Sequence, residues 1–303
     1  MVGEWVQSAW NALPEPLRDP VALAIPAFAL LLVIEWCAAI KLEDGDRGSY
    51  KGVDARASLG MGVVSIATTT VWKTLALFGY TALYVYVAPW HLPADAWYTW
   101  VILIVGVDVL FYAYHRAAHR TRIIWATHQA HHSSEYFNFS TALRQKWNNS
   151  GEIVMWLPLP LLGIPPWMVF VGFSINLVYQ FWVHTERIDK LPRVIEFVFN
   201  TPSHHRVHHG NDPQYLDKNY GGIFIVWDRL FGSYADEVAR PHYGLTKKVD
   251  TFNIWTLQTH EYRSIARDVA ASRSWRERFG FVLGPPGWTP SRAEAKETSS
   301  SSG

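Results

Sequence analysis

The sequence predicts an all-α fold: a multi-pass membrane helical domain with a cytosolic helical cap. Three observations predict it. Apolar residues fall into four long blocks, histidines gather just beyond those blocks, and lysines and arginines sort to one side of them. With 49% hydrophobic and only 17% charged residues over 303 positions, the chain can bury a large core and is not a disordered segment. A net charge of +1 leaves no basic field to hold a phosphate backbone, which argues against nucleic acid as a partner. The single cysteine, Cys37, rules out an internal disulfide, an iron–sulfur cluster and a thiolate zinc knuckle.

The elements follow in chain order. Residues 1–20 lack the basic start and cleavage site of a secretory signal peptide. Trp5, Val6, Ala9, Trp10 and Leu13 recur there at helical spacing, which suits a short helix at the membrane interface or packed on the body. The first block, 21–40, holds one charge, Glu35, and at 1.5 Å per residue spans a hydrocarbon layer of roughly 30 Å. The second, 57–88, is interrupted by Lys73, and the third, 96–114, encloses Asp108. The fourth, 153–183, has no charge, and Pro158, Pro160, Pro165 and Pro166 break it into a helical hairpin.

Lys41, Arg47, Lys51 and Arg56 sit in the 41–56 loop, and Arg116, Arg120 and Arg122 follow the third block, whereas 89–96 has no lysine or arginine. The positive-inside rule then puts 41–56 and 115–150 in the cytoplasm and 89–96 outside. The hairpin returns to the side it left, so 184–290 joins the cytoplasmic face. Residues 21–290 read as one domain, and the serine-rich stretch 291–303 reads as a disordered tail.

Ten of the 13 histidines lie between positions 115 and 209: His115, His119, His128, His131, His132, His184, His204, His205, His208 and His209. His115 and His119 are i, i+4 and share a helix face. His128, His131 and His132 are i, i+3, i+4, and His205, His208 and His209 repeat that pattern. Neutral imidazole binds zinc, copper, nickel and iron. A single zinc is satisfied by three or four ligands, so eight to ten histidines suit two ions. Carboxylates do not track these boxes at ligand spacing, so the site is expected to be dominated by histidine. His91, in the external loop, and His242 and His260, beyond the boxes, read as interfacial, surface or packing residues.

This order of boxes resembles the fatty acid hydroxylase/sterol desaturase superfamily of membrane non-haem di-iron enzymes, and within it the alkylglycerol monooxygenase branch. The resemblance rests on WATHQAHHSSEYFNFSTALRQ (125–145), QFWVHTE (180–186), NTPSHHRVHHGNDPQYLDKNYGGIFIVWDRLFG (200–232), YGLT (243–246) and GPPGWTP (284–290). It covers roughly 100–290, with the core at about 100–235. It implies two irons, O2 as cosubstrate and attack on a lipid C–H bond. The family's eight-histidine motif falls on His115, His119, His128, His131, His132, His205, His208 and His209. His184 matches an additional histidine of the branch. Asn219 and Tyr220, in KNYG, match a family signature and are expected as cofactor-site residues, with a plain turn before the strand-like GGIFIVW as the alternative. Tetrahydrobiopterin, the reductant of the animal members, is one candidate reductant. The short, Ala- and Trp-rich chain has a bacterial style, which implies an inner membrane.

His131 and His208 are expected to be essential to catalysis. Asp108 lies two turns before His115 on one helix face, and Glu135 and Glu186 follow ligand boxes, so each could accept an imidazole N–H. Arg144 and Lys146 could meet a lipid phosphate or simply follow the positive-inside bias. No dinucleotide fingerprint, haem domain or cysteine cluster is visible, so electrons are expected from an external donor, a redox protein or a diffusible reductant. Three alternatives stay open. A desaturase would use the same metals. A membrane zinc hydrolase would want an H-E-x-x-H helix, which is absent. A metal transporter would want ligands at mid-span rather than at block ends.

Overall fold

The computed structural model describes residues 19–42 and 47–290. Apart from Asp19 and Pro20, the helix expected within 1–20 falls outside the described residues, as does the tail expected over 291–303. Helix α1 (Pro20–Lys41) starts on an Asp19 cap that accepts the Val21 N–H at 2.8 Å, with proline in its first turn. Helix α2 (Gly52–Tyr86) and helix α3 (Trp97–Arg120) follow. All three are long and apolar enough to cross a membrane. The most apolar window of α1 is only 6% buried, so its greasy surface faces outward rather than into a protein core.

The fourth apolar block is a hairpin of short pieces. Helices α4 (Arg122–His128) and α5 (Phe139–Ala142) come first in the chain, and α6 (Ser150–Met155), α7 (Pro158–Leu161) and α8 (Pro166–Trp182) make the hairpin. Its prolines fall at helix starts, where the missing N–H costs nothing. The turn at Gly163 has φ +80°, and a Cβ there would lie 2.4 Å from the Trp90 carbonyl oxygen. Leu92 N–H donates to the Gly163 carbonyl at 2.8 Å, and the Trp90 indole donates to the Leu162 carbonyl at 3.0 Å. The hairpin tip therefore meets the 89–96 loop, at the end of the bundle opposite the histidines. Tyr80, Leu103, Val107, Phe111, Trp156, Leu159, Met168 and Phe173 form the core between α2, α3 and this hairpin.

The remaining chain builds the cap. Its helices are α9 (Arg193–Val198), α10 (Pro202–His209), α11 (Val226–Leu230), α12 (Ile254–Ala271) and α13 (Trp275–Leu283); α12 and α13 pack on each other and on α4, and α12 also touches α2. Arg122 ties α4 to α12 through Glu261 and Asp268, both at 2.7 Å. Glu35, the one charge of the first block, is turned inward. It is buried, accepting from Tyr50 Oη, from Phe139 N at 2.7 Å and from Thr185 Oγ1, and so ties α1 to the cap. Arg144 and Lys146 are likewise turned inward. Arg144 pairs with buried Asp54 at 2.7 Å, and Lys146 pairs with Glu152 at 2.6 Å. GGIFIVW forms no extended strand. Among the described residues its only ladder contact is an isolated bridge between Phe224 and Phe199.

Candidate metal centre

Helix α3 delivers His115 and His119 from its last turns. Helix α4 ends on His128, and the 3₁₀ turn His131–Ser133 that follows carries His131 and His132. His184 follows the end of α8, and α10 supplies His205, His208 and His209. The structure brings nine imidazoles together in two groups. His115, His119, His128, His132 and His208 form one, and His131, His184, His205 and His209 the other. Within each group the donor nitrogens all lie within 4.8 Å of one another. The groups adjoin, with the His132 and His209 rings stacked 4.4 Å apart.

Backbone carbonyls set the tautomers. His115 Nδ1 meets the Tyr220 carbonyl at 2.9 Å, and His208 Nδ1 meets the Lys218 carbonyl at 3.0 Å. His184 Nδ1 meets the Gln180 carbonyl at 2.7 Å, and His131 Nδ1 meets the Arg144 carbonyl at 3.3 Å. A carbonyl only accepts, so each Nδ1 carries the proton and each Nε2 a bare lone pair. His131 Nε2 and His184 Nε2 nevertheless face each other at 3.3 Å. Two lone pairs cannot hydrogen-bond, so this approach fits two ligands turned toward one shared cation. Burial keeps the rings neutral. Desolvation pushes His184 down to about 3, outweighing its bond to Gln180, and His208 to about 4. It also holds His131 well below the ordinary imidazole range. The Nε2 atoms of His119, His208 and His209 are buried with no hydrogen-bond partner. Buried, neutral, lone-pair nitrogens in two convergent sets fit two divalent ions of borderline softness such as iron or zinc.

Other sequence candidates lie elsewhere. His204 is outside both groups, with Nε2 3.0 Å from Glu196 Oε2, because its side chain leaves α10 on another face. Asp108 accepts no imidazole proton. Its oxygens are filled by Ile223 N at 2.6 Å, Phe224 N at 3.1 Å, Trp227 Nε1 at 2.8 Å and Asn176 Nδ2 at 2.9 Å. Glu135 is exposed and pairs with Lys248 at 2.8 Å. Glu186 takes Gly48 N at 2.7 Å, Arg240 and Tyr243 Oη instead of a histidine.

Asn219 acts through its side-chain amide, and Tyr220 through its carbonyl and through a ring packed against His115, His119 and His208. Asn219 adopts φ +55° and Asp217 φ +61°, conformations that Asn and Asp tolerate better than most residues. The Asn219 amide bonds to the carbonyls of His204 and Ala235, fixing a loop that aims the Lys218 and Tyr220 carbonyls at His208 and His115. Sequence reasoning missed these carbonyls, since a backbone oxygen leaves no side-chain signature. It also missed Asp228, which is buried and accepts Tyr220 N at 2.8 Å, Gly221 N at 2.7 Å and Ser233 Oγ at 2.7 Å.

The sequence model of the family described as fatty acid hydroxylase matches residues 100–233, the stretch that contains all nine of these histidines. Over these residues the chain is similar to the fatty acid hydroxylase family. Among its relatives, alkylglycerol monooxygenase of Danio rerio is 39% identical over 282 residues, covering 93% of this chain and 62% of that protein. The Homo sapiens alkylglycerol monooxygenase is 38% identical over 279 residues, covering 92% and 62%. The ornithine lipid hydroxylase OlsE of Rhizobium tropici is 27% identical over 168 residues, covering 52% and 50%. The chain thus spans under two thirds of the length of these relatives. No solved structure matches it.

Proposed function

We propose that the chain is a fatty acid hydroxylase family member, a membrane-bound non-haem di-iron monooxygenase that hydroxylates a lipid C–H bond with O2 and external electrons. The observation that carries the reading is the pair of adjoining all-imidazole groups gathered at the end of the membrane-length helix α3. On this reading His115, His119, His128, His132 and His208 hold one iron, and His131, His184, His205 and His209 the other. When bound, the irons supply the reduction of O2 and the attack on an unactivated C–H bond. One oxygen atom enters the C–H bond, and the other leaves as water with two electrons and two protons from outside the chain.

The protein's own residues orient, enclose and exclude water. The Gln180, Arg144, Lys218 and Tyr220 carbonyls hold Nε2 of their histidines toward the irons. Phe137, 1% exposed, packs its ring against His184 and His209, and Trp125 packs against His119 and His132. These rings keep water from the site. The substrate class favoured by the alkylglycerol monooxygenase relatives is an ether lipid. Hydroxylation next to the ether oxygen yields a hemiacetal, which breaks to an aldehyde and an alcohol. The distribution of basic residues supports a site at the cytoplasmic face, and the Ala- and Trp-rich composition supports the inner membrane of a bacterial cell.

The test is direct. Protein purified from iron-supplemented cells is analysed for metals, then given a 1-O-alkylglycerol, O2 and a reductant, either reduced pterin or a ferredoxin system. About two irons per chain and O2-dependent release of fatty aldehyde are expected. A single zinc per chain, with no oxygen consumption on any lipid offered, would overturn the reading.

A further inference from the structure

Part of the cap carries large apolar side chains on its outside. In α9, Val194 is 79% and Phe197 61% exposed, and further along the chain Leu230 and Phe231 are 69% and 51% exposed. The two stretches are one surface. Ile225 N donates to the Val198 carbonyl at 3.0 Å and Asn200 N to the Ile223 carbonyl at 2.8 Å. The Arg229 guanidinium sits 5.0 Å over the Phe197 ring while donating to the Phe197 and Glu196 carbonyls.

The depth of this surface is set by what it hangs from. Ile223, Phe224 and Trp227 all donate to Asp108, seven residues before His115 on α3 and thus about 10 Å further into the bundle. The Phe231 ring stacks on Tyr112 at 5.5 Å, and the Phe231 carbonyl takes Arg116 Nη1 at 3.3 Å. On the α9 side, Tyr179 Oη, five residues before His184 on α8, donates to the Asn200 carbonyl at 2.7 Å. The ties to Asp108 and Tyr179 therefore hold Asn200 and 223–227 beside α3 and α8 on the bilayer side of the histidine groups, and the ties to Tyr112 and Arg116 hold Phe231 at the level of His115.

Charge is arranged to match. Exposed Arg193 begins α9, with Lys190 just before it, one turn or more from Phe197. Apolar tips with arginine and lysine at their edge are what a lipid headgroup boundary receives: the tips enter the acyl region and the cations meet lipid phosphates.

We propose that Val194, Phe197, Leu230 and Phe231 form a lipid-docking patch, inserted into the leaflet on the histidine side of the membrane. The cap is then a partly immersed element rather than a domain held clear of the bilayer. An apolar substrate can pass from that leaflet to the centre without crossing water. The inference rests on the spanning helices and the ties to Asp108, Tyr112 and Tyr179, and needs no metal.

The experiment uses the full chain, one copy per lipid nanodisc containing 30% phosphatidylglycerol, as the chosen probe membrane. Single cysteines replace Phe197, Leu230 or the exposed Val238 in a Cys37→Ser background, since Cys37 is itself exposed. Each is nitroxide-labelled, and relaxation by O2 is compared with relaxation by a water-soluble nickel chelate. Labels at 197 and 230 are expected to favour O2 several-fold over the label at 238. Equal, chelate-dominated relaxation at all three sites would overturn the proposal. So would dipolar broadening together with loss of O2 access at 197 and 230 in discs that hold two copies, because the patch would then be covered by a second chain.

Discussion

Asparagine in place of Asp108 changes one atom and removes the negative charge that organises the cap against α3. Oδ1 of Asp108 accepts Ile223 N and Asn176 Nδ2, and Oδ2 accepts Phe224 N and Trp227 Nε1, all buried or partly buried. An asparagine keeps one oxygen, so its NH2 must face two other N–H donors. Two hydrogen bonds are lost and two donors are left unpaired, at about 1–3 kcal/mol each, or roughly 2–6 kcal/mol together. For a protein of this size that lowers the melting midpoint by several degrees. The damage should be local first. The segment that Asp108 holds, 223–227, follows directly on Gly221 and on Tyr220, whose carbonyl orients His115. Asp108→Asn is therefore expected to melt earlier in detergent, to be cut sooner by protease within 221–231, and to bind less iron. A variant with an unchanged midpoint, unchanged cleavage and full iron would show that this knot does not hold the cap, and the reasoning would fail.

Gly222→Ala attacks the same knot sterically, since its Cβ would lie 2.7 Å from Asn176 Nδ2 and 2.9 Å from Asp108 Oδ1, and it should reproduce the loss of stability in the same melt. His131→Ala or His208→Ala should abolish oxygen-dependent turnover and lower bound iron, whereas His204→Ala should keep the iron. Elemental analysis beside an activity assay separates these outcomes. Arg144→Met strips the partner from buried Asp54 and should cost about 3–5 kcal/mol, while adding Asp54→Leu should recover part of the loss in a denaturation series.

The metal-free protein should be acid-sensitive. His184 and His208 are held at about 3 and about 4 in the fold but titrate near 6.5 when unfolded. Below about pH 6.5 the unfolded chain binds protons that the fold refuses. Stability present above that value should fall on acidification by about 1.4 kcal/mol per pH unit for each such histidine. Melting curves of chelator-treated protein between pH 7.5 and 5 report this, and a flat profile would contradict it.

Much of the architecture was legible because its determinants are local. Block length and mean apolarity suffice to mark α1, α2 and α3, and proline positions suffice to mark the broken hairpin. The histidine boxes were legible for the same reason, since i, i+3, i+4 spacing places side chains on one face before any tertiary contact exists. Local spacing could also set His204 apart from its neighbours, as a residue on another face of the same turn.

Which imidazole joins which group was not legible. His131 and His132 are adjacent in the chain yet enter different groups: His132 joins His115 and His119 of α3, His128 of α4 and His208 of α10, while His131 joins His184 beyond α8 and His205 and His209 of α10. The carboxylates near the boxes misled for a related reason. Proximity in sequence suggested that Asp108, Glu135 and Glu186 would serve histidines, but backbone carbonyls took that role, and the acids were spent on the cap, a surface lysine and the 47–50 turn. By itself, then, the chain determined what spans a membrane and which side chains can bind metal, both properties of short windows. The tertiary structure alone decided the partition of the nine imidazoles, their tautomers and the depth at which the cap hangs, because each depends on backbone groups brought together from distant segments.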